Sequence, residues 1–170
     1  HHISNVTGCE QNIKKITQLA SVFKIPVLVD GAQAVAHSSV NVSDLDCAFY
    51  CFSGHKVFGP TGTGVLFGKE KFLQNCFPSK FGGGMVGSVK ELKSNWAELP
   101  HKLEAGTPNI AGIIGLGAAI NFVQKVGPSN ILKHENKLIS KFKELITNIE
   151  GIRIYGNKNK LAPIFTFNIN

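Results

Sequence analysis

The chain has 170 residues, 43% of them apolar and 17% charged, which suits one substantial domain or parts of two and excludes a disordered tract. Lys and Arg outnumber Asp and Glu by 18 to 11, but the cations are mostly lysines spread over helical segments such as 131–144, with no run of adjacent basic residues. Arg153 is the only arginine, so the excess reads as solvated surface and not as a nucleic-acid-reading patch.

Helix and strand signals alternate along the chain, which predicts an α/β fold with a mainly parallel sheet flanked by helices. Ile13, Ile16, Leu19, Ala20 and Phe23 recur at helical spacing and predict an amphipathic helix over 11–23. Pro26 precedes the continuous apolar run 27–29, a buried strand, and 47–52 and 64–67 predict two more. Gly82-Gly83-Gly84 lies in a stretch of little periodicity, 78–108, which reads as a long loop. Ile110–Val126 reads as a buried helix stopped by Gly127-Pro128. An amphipathic helix with a lysine-rich face follows over 129–149, with Ser129 as its N-cap. Strands over 153–155 and 164–169 flank a polar turn at 156–160. The change of texture near 123–129 predicts a domain boundary.

Four cysteines, Cys9, Cys47, Cys51 and Cys76, show no C-x-x-C and no metal-ligand spacing, so they read as reduced structural thiols and no metal site is expected. Cys47 and Cys51 read as small buried hydrophobes. No apolar stretch approaches the roughly 18–20 residues of a membrane span, and 110–123 is too short and too rich in glycine. The chain opens on His1 with no signal-peptide pattern and reads as an internal piece of something longer.

Val27-Leu28-Val29-Asp30-Gly31-Ala32-Gln33 sets an acid at the carboxyl end of a buried strand, the edge where open α/β sheets bind ligands. Such a carboxylate calls for a cationic partner, and the pyridinium nitrogen of pyridoxal phosphate (PLP) is one; read alone, Asp30 is equally a turn former before Gly31. Phe52-Ser53-Gly54-His55-Lys56 closes a second apolar run. A lysine where a buried strand breaks into a loop can be stripped of water and left free to attack a carbonyl. Ser53 and His55 beside it are natural phosphate donors, although a histidine such as His55, taken alone, is more often structural. Gly59-Pro60-Thr61-Gly62-Thr63-Gly64 lacks the ending of a P-loop and reads as the turn that brings the chain back into the sheet.

These motifs, with Glu104-Ala105-Gly106-Thr107-Pro108-Asn109, resemble the fold-type I, class V aminotransferase superfamily, and within it the cysteine desulfurases. His2-Ile3-Ser4-Asn5, Leu45-Asp46-Cys47-Ala48-Phe49-Tyr50 and the run 112–119 fit the same family. The similarity spans nearly the whole chain in order. It implies that residues 1–125 are the second half of a PLP-binding large domain and that 126–170 begin a small α+β C-terminal domain. Lys56 would form the Schiff base and later move the substrate Cα proton. Asp30 would hold the pyridinium nitrogen, and Gln33 would hydrogen-bond the phenolic oxygen. Ala32 would lie against a ring face, Asn5 would approach the phenolic oxygen and substrate, and Ser53 and His55 would bind the phosphate. Thr107 would reach the phosphate of the other subunit of a homodimer. L-cysteine would yield alanine and a persulfide, with a sulfur-acceptor protein of an iron–sulfur assembly system as partner. The implied location is the cytoplasm, or an organelle stroma or matrix if a transit peptide is present.

The family's upstream phosphate-binding threonine loop, its ring-stacking histidine, its persulfide cysteine and its carboxylate-clamping arginine have no matching positions here. His2 belongs to the His-x-Ser-Asn segment and is not the stacking histidine. The 170 residues alone are therefore expected to be inactive and to bind PLP weakly. A selenocysteine lyase, another class V enzyme such as a kynureninase-like or aminotransferase relative, and a catalytically silent PLP-fold scaffold are the competing expectations.

Overall fold

In the computed structural model, residues 1–156 and 162–170 are described. Asn12 starts the first helix, α1 (Ile13–Val22), its side-chain oxygen accepting from Lys15 N at 3.0 Å. The helix is shorter than the predicted 11–23 at both ends: Asn12 caps its start, and Lys24, at φ +56°, reverses the chain beyond its end. Ile13 and Thr17 face the core, and the Thr17 hydroxyl donates to Leu45 O at 2.7 Å. Leu19 and Phe23, expected on the buried face, stay exposed, because the described elements cover only the Ile13–Thr17 side.

β1 (Leu28–Asp30) leads into the one-turn helices α2 (Ala34–His37) and α3 (Val42–Leu45) and then β2 (Phe49–Ser53). β1 and β2 pair in parallel, with Leu28 opposite Phe49 and Asp30 opposite Cys51. β3 (Gly64–Gly68) joins the other side of β2 antiparallel. The sheet of a mixed α/β fold is thus present, with one parallel and one antiparallel pairing. Ile13, Val29, Cys47 and Tyr50 form its core, with Val27, Val35 and Phe67 packed around them. Cys47 is wholly buried as expected, and burial pushes its thiol pKa up.

The short helix α4 (Glu70–Leu73) comes next, and then the structure departs from the sequence expectation. Residues 78–108 are not one long loop: β4 (Val86–Lys90) and β5 (Lys93–Trp96) form an antiparallel hairpin with an irregularity at Gly87. Both faces of this hairpin are largely exposed, Trp96 alone being half-buried. It therefore carries none of the apolar alternation by which a half-buried strand is recognised.

α5 (Ile110–Val126) has the expected bounds, with the Asn109 side chain accepting from Gly112 N at 3.0 Å. It is not a buried helix. Gly112, Leu116 and Ala119 are covered, whereas Ile113, Ile114 and Phe122 are exposed. α6 (Pro128–Ile146) begins one residue before the predicted Ser129 cap. Pro128 fills its first position, where no N–H is needed, and Gly127, at φ +87°, precedes it. The two helix axes meet at 73°, and among the described residues no single helix is long and apolar enough to cross a membrane.

β6 (Ile152–Tyr155) pairs antiparallel with β7 (Thr166–Ile169); β6 starts one residue before its predicted strand, and β7 lies inside its own. The turn expected at 156–160 lies, from residue 157 on, outside the described residues. Ala162 N donates to Gly8 O at 2.9 Å, and Ala162 packs with Ile3 and Ala34 in a second cluster. The end of the chain thereby returns to its beginning.

Candidate active site

Parallel pairing brings the carboxyl ends of β1 and β2 to one edge of the sheet, the edge at which α/β sheets bind ligands. β1 ends on Asp30 and β2 on Ser53, and each runs into a turn that carries side chains beyond the sheet.

In the first turn, Asp30 Oδ1 accepts from Ala32 N at 2.9 Å, a local bond that folds the chain toward Gln33, the residue preceding α2. Gly31 N extends the ladder to Cys51 O at 2.8 Å. Ala32 and Gln33 are half-buried, and Asp30 is exposed. Among the described residues the Asp30 carboxylate has no cationic side chain paired with it. Gly31 is held flat against the Tyr50 ring, where any Cβ would overlap ring atoms. Gly31→Ala is accordingly expected to lower stability by about 1–3 kcal/mol and to displace the Asp30 turn. Chemical denaturation would measure the loss, and a neutral variant would contradict this packing.

Tyr50 is buried, with its hydroxyl 3.0 Å from His2 Nδ1 and the two rings edge to face. His2 N also donates to Asp30 O at 2.7 Å, and His2 Nε2 stands 3.8 Å from Glu10 Oε1. Burial pushes the Tyr50 phenol well above its ordinary pKa, helped by Cys47 and the Asp30 carboxylate. Burial also lowers the His2 pKa, against a weaker opposing pull from Glu10. Both groups are thus neutral, which suits a Tyr50 O–H donating to His2 Nδ1.

A histidine with a depressed folded pKa contributes its full stability above its ordinary value of 6.5. That contribution is lost as pH falls from there through the lowered folded value. Urea midpoints measured on either side of that value should fall more steeply for the wild type than for His2→Gln. Parallel curves would exclude His2 as the responsible group.

The second turn continues from β2 as a 3-10 segment, Gly54–Val57. Gly54 N donates to Thr63 O at 2.9 Å, and Gly54 O accepts from Gly59 N at 3.0 Å. A Cβ at Gly59 would lie 2.8 Å from Leu116 Cδ1, so this turn is clamped between β3 and α5. Residues 59–64 return the chain to the sheet as expected, with the Thr63 hydroxyl donating to Pro60 O at 2.7 Å. Phe58 closes the segment at φ +64°, a left-handed conformation costing a bulky residue roughly 1–3 kcal/mol. Val57 is buried, Ser53 and Lys56 are half-buried, and His55 is exposed.

Asn5 sits in a third loop, where the Ser4 hydroxyl oxygen accepts from Val6 N and Thr7 N at 3.2 and 3.1 Å. The bond from His2 to Asp30 holds this loop beside the end of β1. Thr107 lies elsewhere, on the loop entering α5, where Gly106 N donates to Gly83 O at 2.9 Å. Burial, reinforced by Asp30, pushes the Cys51 thiol up. Among the described residues no cluster of His, Cys, Asp and Glu could hold a metal ion.

One sheet edge therefore gathers a carboxylate, a primary amine, a hydroxyl, an imidazole and a side-chain amide. Such a set can pair with a cationic ring nitrogen, capture a carbonyl carbon and hold an anionic group. Sequence reasoning missed that Tyr50 and His2 fix the height of the Asp30 turn. The only signal was a tyrosine in an otherwise apolar strand, where its hydroxyl needs a partner.

The aminotransferase class-V family model matches residues 1–170. A probable cysteine desulfurase of Halalkalibacterium halodurans is 46% identical over 168 residues, covering 99% of this chain and 41% of the relative. A cysteine desulfurase of Escherichia coli O8 is 44% identical over 169 residues, with 99% and 41% covered. The apo structure of a cysteine desulfurase from Thermococcus onnurineus NA1 superposes with a TM-score of 0.94 at 36% identity, over 99% of this chain and 42% of that one. The Escherichia coli cysteine desulfurase CsdA, in its S-sulfonic acid form, gives 0.93 at 35%, with the same coverage. The chain thus spans about 41% of the length of the curated relatives it matches.

Proposed function

This chain belongs to the class-V aminotransferase family, and on that premise we propose that the protein containing it is a PLP-dependent cysteine desulfurase. It converts L-cysteine to L-alanine and passes the sulfur, as a persulfide, toward an iron–sulfur assembly acceptor. The observation that carries the proposal is the placement of Asp30 at the carboxyl end of one strand and of Lys56 just past the carboxyl end of the adjacent parallel strand. The cysteine desulfurases at 44–46% identity support the choice within the family. We place the large domain at 1–125 and the start of the small domain at 126–170, supported by the break at Gly127-Pro128. The persulfide thiol and the carboxylate clamp are assigned to parts of the protein outside these residues.

The donor set fits PLP. The Asp30 carboxylate, with one oxygen on Ala32 N and no protein cation beside it, is suited to a protonated pyridine nitrogen. When bound, the cofactor supplies an electron sink for charge developing at the substrate Cα. The Lys56 amine would hold the cofactor's aldehyde carbon and would be the group to carry the substrate Cα proton. The Ser53 hydroxyl and His55 imidazole donate to the phosphate. The Gln33 amide donates to the phenolic oxygen, with Asn5 approaching the same atom, and Ala32 packs on a ring face. Thr107 serves the phosphate of a second copy in a homodimer.

The proposal is tested by incubating the protein that contains this chain with cysteine or selenocysteine and measuring alanine. Alanine and persulfide from cysteine is the expected result. Alanine from selenocysteine alone would make it a lyase, and none from either would leave a silent scaffold.

A further inference from the structure

The one-turn helix α2 stands between the site and the C-terminal part of the chain. Gln33 precedes it and His37 is its last residue. Val35 N donates to Gly31 O at 3.1 Å, and Ser38 returns both its N–H and its hydroxyl to Ala34 O at 2.8 and 2.9 Å. These bonds tie residues 31–38 into one hydrogen-bonded piece. A single turn has no stability of its own, so its position depends on what it leans against. It packs on the 3-10 turn carrying Lys56 and on α6. Toward the Lys56 turn the packing is incomplete: Val35, Val40, Phe52, Val57, Ile120 and Val123 line a cleft of about 260 Å³. Toward α6 the contact is polar and close. His37 Nδ1 and Glu135 Oε1 are 2.7 Å apart, with the side chains 19% and 14% exposed. A hydrogen bond this well screened from water holds geometry better than the exposed Lys69–Asp46 and Lys141–Glu144 pairs.

We propose that Glu135, acting through His37, is a positioning residue: α6 uses this pair to hold α2 and thereby to fix Gln33 and the Asp30 turn against the turn that bears Lys56. The inference rests on the cofactor reading above. Nothing in the local sequence signals it, because the partners are 98 residues apart.

The test uses the protein that contains this chain, loaded with PLP. Glu135→Ala, the isosteric Glu135→Gln and His37→Gln are compared with Glu144→Gln, which removes an exposed charge paired with Lys141 on the same helix. Readouts are the visible absorbance band, PLP retained on dialysis and the melting temperature. Glu135→Ala and His37→Gln are expected to shift the band and weaken PLP retention roughly 2- to 30-fold. Glu135→Gln should do so less, and Glu144→Gln should match the wild type. If Glu135→Ala does not fold, the isostere decides. Melting temperatures that fall while band and retention stay at the wild-type values would overturn the inference. A wild type that takes up no PLP would overturn the cofactor reading itself, a result the variants cannot imitate.

Discussion

Lys56→Ala is expected to cut cysteine turnover by at least about 10²–10⁴-fold, the span attached to loss of a positioned proton carrier alone, with the covalent anchor lost in addition. Borohydride reduction of the PLP-loaded wild type should leave the pyridoxyl group on Lys56, and the variant should carry none. The fold should survive. Lys56 is half-buried, whereas the residues that seat its turn are Gly54 and Val57. Substitutions outside such seats usually stay within about 0.5 kcal/mol, so the melting temperature separates lost chemistry from lost structure. Recovery of the label on another lysine would remove Lys56 from its role, even with turnover reduced.

Asp30→Asn is the second large effect. The substitution keeps the side chain's size and the oxygen that accepts from Ala32 N, so the turn leading to Gln33 should hold. Only the charge goes. Once covered by bound cofactor, loss of one partner of such a pair costs about 2–5 kcal/mol, a fall in rate of roughly 30- to 5,000-fold. Asp30→Asn should still be labelled at Lys56 on reduction, since capture of the aldehyde needs the amine and not the carboxylate. Retention of most of the activity would show that Asp30 is a turn former and nothing more.

The candidate residues around Asp30 and Lys56 were legible in the sequence because they follow the ends of continuous apolar runs, whereas Asn5 and Thr107 came from the family resemblance alone. Asp30 ends one such run and Ser53 another, and parallel pairing makes neighbours of the two turns beyond them. Gly127-Pro128 marked its helix break for an equally local reason. The hairpin at 86–96 was not legible, because strands exposed on both faces have no apolar period to read. Nor was the exposure of Ile113 and Phe122 on α5, since apolar composition tells what a helix would bury and not what covers it. The contacts of His2 with Tyr50 and of His37 with Glu135 join residues 48 and 98 positions apart. Only the folded chain pairs them.

The state of the thiols has a practical consequence for testing the proposed sulfur transfer. Cys47 is sealed in the core and Cys51 is half-covered beside Asp30, and both thiols are pushed toward the protonated form. Alkylating reagents attack thiolates, so in the native protein these two side chains should contribute little background to a persulfide-trapping assay. A denaturing quench would expose them. Traps for sulfur in transit are therefore best applied before the protein is unfolded.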